Sequence, residues 1–242
     1  MLAVAGAALV TALATGLGAV PLAIVRDPGE RLLGIADGVA AGVMAAASIG
    51  LAVEGARIGS IRTALGALAG IALIILVRRL LPSGDGAHFA GLGGAGASQA
   101  ILVVGVMTAH SFAEGIAVGV AFGGEEAFGW AITIAIAIHN IPEGLAISLV
   151  MVPRGASVAS AAAWSVVSSL PQPLMAVPAF LFVSVFAPAL PVGLGLAAGA
   201  MLWMVAAELL PDARRHAPAR DVALGAVVAF AAMWMLQVLV AG

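Results

Sequence analysis

Two short stretches carry chemistry-bearing residues at the same spacing. His110-Ser111-Phe112-Ala113-Glu114-Gly115 and His139-Asn140-Ile141-Pro142-Glu143-Gly144 both read H-x-x-x-E-G. On a helix, residues four apart lie about 6 Å along the axis and share one face. Imidazole with carboxylate is a donor set suited to Zn, Fe, Mn or Co. Two such helices facing each other would offer four ligands to one ion: His110, Glu114, His139 and Glu143. Those ligands bind as neutral imidazole and ionised carboxylate, so acid should weaken the site. The competing reading is a pair of buried His–Glu hydrogen bonds that brace two helices. Duplication on adjacent apolar segments argues against it. Pro142 lies between His139 and Glu143, removes a backbone donor and frees a carbonyl that a cation could accept.

Other polar residues stand near these motifs. Ser111 and Asn140 each follow a His by one position, about 100° around the helix. They could join an adjoining site that shares Glu114 and Glu143, or make an interhelical hydrogen bond. Ser168-Ser169-Leu170-Pro171-Gln172-Pro173 should interrupt a later helix, and Pro178 follows it. Gln172 reads equally as a contact to a metal or its water and as part of a kink. Asp37, Glu208, Asp212 and His216 could form an exit for a cation, or be ordinary helix-end groups. Met107, Met151, Met201 and Met204 read as packing. Trp130, Trp164, Trp203 and Trp234 read as interfacial or packing residues.

The elements that must hold these residues are apolar helices. Of 242 residues, 63% are hydrophobic and 9% charged, where a soluble domain has about 25% charged. Mean hydropathy is +1.17. The chain is therefore predicted to be an all-α, polytopic membrane protein. A span needs about 20 apolar residues. Eight stretches meet that template, at 3–25, 33–53, 60–80, 99–122, 127–150, 157–183, 189–210 and 221–241. They are expected to form one transmembrane domain over 1–242. Residues 81–98 form its longest connection, a Gly-rich flexible loop with Asp85 and His88. The 31 glycines suit close helix packing.

Composition also excludes classes. There is no Cys, hence no disulfide and no thiolate metal site. All ten basic residues are Arg and no basic tract exists, so no nucleic-acid partner is expected. Met1 to Val25 lacks a positive leader and reads as an uncleaved first helix. With the N-terminus outside, eight Arg (26, 31, 78, 79, 154, 214, 215, 220) fall in cytoplasmic loops, against Arg57 and Arg62 outside. Both termini should then be extracytoplasmic, with residues 81–98 cytoplasmic. Glu125 and Glu126 in an outer turn read as solvated acids, and Glu54 as an i, i+3 partner of Arg57. Gly38 to Met44 echoes Gly195 to Met201. The second and seventh spans would run oppositely, as in an inverted repeat.

The two motifs resemble the signature of the ZIP (Zrt/Irt-like) metal-transporter family. The likeness is greatest in His139-Asn140-Ile141-Pro142-Glu143-Gly144-Leu145-Ala146 and extends to His110-Ser111-Phe112-Ala113-Glu114-Gly115. Eight spans, outward termini and a variable loop after the third span fit as well. The resemblance implies a prokaryotic cytoplasmic-membrane transporter. It would bring divalent metal into the cytosol, zinc foremost, with iron, manganese, cobalt and cadmium as companions. It implies a midplane two-metal centre: His110, Glu114, His139 and Glu143 at the first site, and Ser111, Glu114, Asn140, Glu143 and Gln172 at the second. Three departures stand out. Ser111 stands where Asn is usual, Ala113 where Pro is common, and Gln172 where some members have Glu. The second site thus lacks a carboxylate of its own and should hold metal weakly or not at all. No cofactor is expected beyond the transported ion; membrane lipid is the surrounding partner, and a homodimer is the assembly to test. Alternating access around the midplane site is the expected mechanism, with no enzymatic activity. The alternative is an intramembrane metal-dependent hydrolase, since His and Glu at a metal could activate water.

Overall fold

The computed structural model describes residues 1–25, 29–80, 88–185 and 187–241. Arg26, Asp85 and the first part of the 81–98 loop lie outside the described residues. Helix α1 (Leu2–Gly16) passes through a 3-10 turn (Leu17–Ala19) into α2 (Val20–Ile24), and α3 spans Glu30–Leu80. A small antiparallel hairpin pairs His88–Phe89 with Leu92–Gly93. Ala90 and Gly91, at φ 52° and 83°, make its turn. Then come α4 (Gly94–Gly124), α5 (Glu126–Met151), α6 (Val158–Ser169), α7 (Pro171–Val185), α8 (Leu190–Met204), α9 (Leu210–His216) and α10 (Ala219–Ala241). Apolar side chains such as Leu2, Ile61, Leu174 and Leu239 are exposed around the bundle, as a lipid-facing surface requires.

Seven helices among the described residues are long and apolar enough to cross a membrane, against eight spans predicted. The difference lies in α3, a 51-residue element that takes in both 33–53 and 60–80. Straight, it would measure about 76 Å, more than twice a hydrocarbon core of about 30 Å. It is not straight. Gly59 leaves the helical region at φ −172°, ψ 92°. A Cβ placed on Gly55 would lie 2.8 Å from Thr63 Oγ1, although residues eight apart on a straight helix are about 12 Å apart. The two arms of α3 therefore fold back on each other at Gly59.

The break predicted around Ser168–Pro173 is present. The chain leaves α6 at Ser169 and enters α7 at Pro171. The π-helical turn Val205–Leu209 joins α8 to α9, which has Pro211 in its first turn. A proline there lacks the amide that would close the preceding helical turn.

Close backbone packing joins α3 to α8 and α10, α1 to α5, and α4 to α7. A Cβ on Gly38 or Gly42 would meet the Val222 or Ala226 carbonyl of α10 at 2.8 and 2.1 Å. One on Gly195 or Gly199 would meet the Thr63 or Ala67 carbonyl of α3 at 2.1 Å each. The two echoed segments thus do the same job, seating a neighbouring helix on glycines four apart. Gly144 seats α1 on α5, Gly18 seats the 3-10 turn after α1 on α5, and Gly115 and Gly119 seat α7 on α4. A Cβ on Gly193 of α8 would instead meet side-chain methyls of Ile116 and Val120 on α4.

Of the tryptophans, Trp164 packs on Phe89 of the hairpin, with ring centroids 4.4 Å apart. Trp130 meets Phe122 edge-on. Arg57 pairs with Glu54 at 3.2 Å. Glu125 stands at the N-cap position of α5 without a side-chain capping hydrogen bond, and Glu126 lies in the first turn, where acids favour the helix dipole.

Candidate metal centre

His110 and Glu114 project from α4, His139 and Glu143 from α5, and all four are fully buried. Their donor atoms lie within 4.8 Å of one another. The helical spacing and the packing of α4 against α5 are both needed for that convergence. α5 stays helical through Pro142.

The motif glycines explain how other helices reach the site. Each follows its Glu by one residue, so it faces about 100° away from the ligand. A Cβ on Gly144 would sit 1.7 Å from the Thr15 carbonyl of α1, and one on Gly115 would sit 2.5 Å from the Gln172 carbonyl of α7. Bare backbone at these two positions lets α1 and α7 close on the motif helices.

The polar contacts are unevenly shared. One oxygen of Glu114 meets His139 Nε2 and lies 3.3 Å from His110 Nε2. Its other oxygen accepts a 2.6 Å hydrogen bond from Gln172 Nε2. Asn140 Nδ2 donates to the Thr11 carbonyl at 2.8 Å and to Gln172 Oε1 at 3.2 Å. The Thr11 hydroxyl lies 2.5 Å from the same Gln172 oxygen. Against this, both oxygens of Glu143, both ring nitrogens of His110, His139 Nδ1, Asn140 Oδ1 and Ser111 Oγ are buried with no hydrogen-bond partner. Buried polar atoms without partners are rare, and a carboxylate is the most costly of them. Four donor atoms within 4.8 Å of one another, with unpartnered carboxylate oxygens among them, can take up a cation.

Six of the seven residues singled out in the sequence are thus joined, four by their donor atoms and Asn140 and Gln172 by hydrogen bonds, while Ser111 is buried on α4 with its hydroxyl unpartnered. Thr11 was not among them, nor was Thr15, whose hydroxyl lies 2.8 Å from that of Ser169. Their signal was two hydroxyls four apart in an otherwise apolar first helix.

Asp37, Asp212 and His216 form a second group, with donor atoms also within 4.8 Å of one another. They line a cavity of about 480 Å³ at the end of the bundle that carries Arg78, Arg154 and Arg215. Arg78 pairs there with Glu208 at 2.5 Å, and His216 Nε2 lies 3.6 Å from Glu30. The cavity reaches inward to Met107 and Ala146, each three residues from a motif ligand. Met107 and Met204 line it, whereas Met151 and Met201 are fully buried packing residues.

Residues 90–237, which include both motifs and Gln172, match the family described as ZIP zinc transporter. A candidate zinc transporter of Arabidopsis thaliana is 48% identical over 235 residues, 96% of this chain and 38% of that protein. The chain thus spans little more than a third of that plant relative. The zinc transporter GufA of Myxococcus xanthus is 30% identical over 237 residues, 93% of each chain. The zinc transporter ZIPB of Bordetella bronchiseptica is 34% identical over 129 residues, 53% of this chain and 42% of that one. The helical membrane architecture, the paired motifs and these relatives agree: the chain belongs to the ZIP zinc transporter family.

Proposed function

We propose that this chain carries divalent transition metal, zinc foremost, across the cytoplasmic membrane through His110, Glu114, His139 and Glu143. The observation that carries the proposal is Glu143, whose two carboxylate oxygens are buried and unpartnered among three other donors. Iron, manganese and cobalt suit such a nitrogen and oxygen donor set, and cadmium is the further companion that the family resemblance implies.

The ion would enter the cytosol through the cavity lined by Asp37, Glu208, Asp212 and His216. That cavity stops one helical turn short of the motif residues, so the conformation is open on the Arg-rich side. Alternating access would move α1 and α4 to α7 against α3, α8 and α10. Glycine contacts to backbone join α3 to α8 and α10 in one set, and α1 to α5 and α4 to α7 in the other, whereas Gly193 of α8 faces side-chain methyls of α4 across the division. The arms of α3 would each cross the bilayer, making eight crossings within one domain, with both termini outside.

Zinc uptake into proteoliposomes tests the function. His139→Ala combined with Glu143→Ala should abolish uptake while the protein stays folded. Retained uptake in that variant removes the assignment of the site. Formation of a hydrolysed lipid or peptide product by the purified protein would instead favour the hydrolase alternative, for which no feature of the site speaks.

A further inference from the structure

We propose that the Gln172 carboxamide takes the place beside Glu114 that a second cation would occupy, and that Thr11 and Asn140 lock its polarity, so that the centre holds one ion. This deepens the transporter reading and rests on it.

The polarity can be worked out around the network from atoms with only one possible role. The Thr11 carbonyl can only accept, so the Asn140 atom 2.8 Å from it is the amide nitrogen. That nitrogen lies 3.2 Å from one end of the Gln172 amide. The end facing it must therefore be the oxygen. The Thr11 hydroxyl has one proton, with the Ala8 carbonyl at 2.7 Å and Gln172 Oε1 at 2.5 Å. The Gln172 atom facing the hydroxyl is an oxygen and can only accept, so the shorter contact needs the hydroxyl proton, while the Ala8 carbonyl within α1 has a helical amide of its own. With its oxygen doubly engaged, Gln172 turns its amino group to Glu114 Oε2, at 2.6 Å. An ionised carboxylate is acceptor-only, so this end closes consistently.

The consequence is chemical. The face of Glu114 toward α7 already has a donor, supplied by a neutral amide that adds no negative charge. Its other oxygen faces His110 and His139, and Glu143 stays unpartnered. One dication then meets two carboxylates, which balances charge; a second would have to share those same carboxylates and could add only neutral hydroxyl and amide ligands. Thr11 acts as a positioning residue, reaching the ion only through Gln172 and Glu114.

The test is zinc stoichiometry of the purified full chain in detergent, by equilibrium dialysis. The number that matters is the difference between each protein and the same protein with Glu114→Ala and Glu143→Ala, because subtraction removes ions held elsewhere. The wild-type chain should lose one zinc. Gln172→Glu, which puts a third carboxylate in the centre, should lose two. Two zincs lost from the wild type, or one from Gln172→Glu, overturns the inference while leaving the metal centre intact. No zinc lost from the wild type overturns the transporter site itself. In a second measurement, Thr11→Val should weaken the single zinc about tenfold, the low end for loss of an outer partner, and Thr11→Ser should restore it. Unchanged affinity in Thr11→Val, or no rescue by Ser, removes the role of Thr11.

Discussion

Both carboxylate oxygens of Glu143 are buried without a partner, so the ion-free protein carries a cost of roughly 1–3 kcal/mol per unsatisfied group. That cost would be relieved when a cation arrives, which couples binding to stability. Glu143→Gln should therefore unfold at a temperature no lower than the wild type in the presence of a chelator. It should also lose most of the stabilisation that zinc gives the wild type. Thermal unfolding in detergent, with and without zinc, measures both, and a lower melting temperature without zinc would mean that the carboxylate is structural. His110, Glu114, His139 and Glu143 were legible in the sequence because both members of each pair sit on one helix at fixed spacing. Thr11 was not. A threonine in an apolar helix commonly satisfies itself on the preceding turn, and Thr11 does have the Ala8 carbonyl within reach. Its second contact, to Gln172, joins residues 161 apart in the chain, and spacing says nothing at that range.

At the scale of elements, each motif has two faces: the Glu points into the centre and the following Gly accepts another helix. Gly144→Ala would place a methyl 1.7 Å from the Thr15 carbonyl. Backbone cannot yield as a side chain can, so α1 must move away from α5. We expect a loss of about 1–3 kcal/mol or more, the range for overpacking, together with weaker zinc binding as the Thr11 to Asn140 bond opens. Gly6→Ala on the same first helix is the control, since a Cβ there meets nothing within 4 Å. Equal stability of the two variants, read by denaturation in detergent, would contradict the close approach. The broken sixth span follows a similar logic. Pro171 and Pro173 flank Gln172 and end the regular ladder between Ser169 and Pro171. The sequence marks that break plainly, because proline acts on its own turn.

For the whole molecule, the orientation and the return of α3 make a joint prediction. The chain has no cysteine, so single cysteines report without background. Ser60, just past the Gly59 bend, and Leu80, at the end of α3, are both exposed. If each arm crosses the bilayer, a membrane-impermeant maleimide added to intact cells should label Ser60→Cys and leave Leu80→Cys unlabelled until the cells are opened. Labelling of both from outside would defeat the eight-crossing arrangement. The clustering of Arg78, Arg154 and Arg215 around one cavity mouth supports placing that end in the cytosol.

Membrane class, helical content, the two motif helices and the interrupted sixth span follow from the chain alone. Each depends on composition or on residues within a few turns of one another, and apolar length, helical spacing and proline chemistry are local properties. The sequence predicts separate spans at 33–53 and 60–80, and tertiary structure supplies the bend at Gly59 that brings Gly55 beside Thr63. Tertiary structure also decides that α1 reaches the His/Glu cluster through Gln172, and that Gln172 offers Glu114 its nitrogen while its oxygen is held elsewhere. An amide has a donor end and an acceptor end, and only the neighbours that fold around it select which one faces the site.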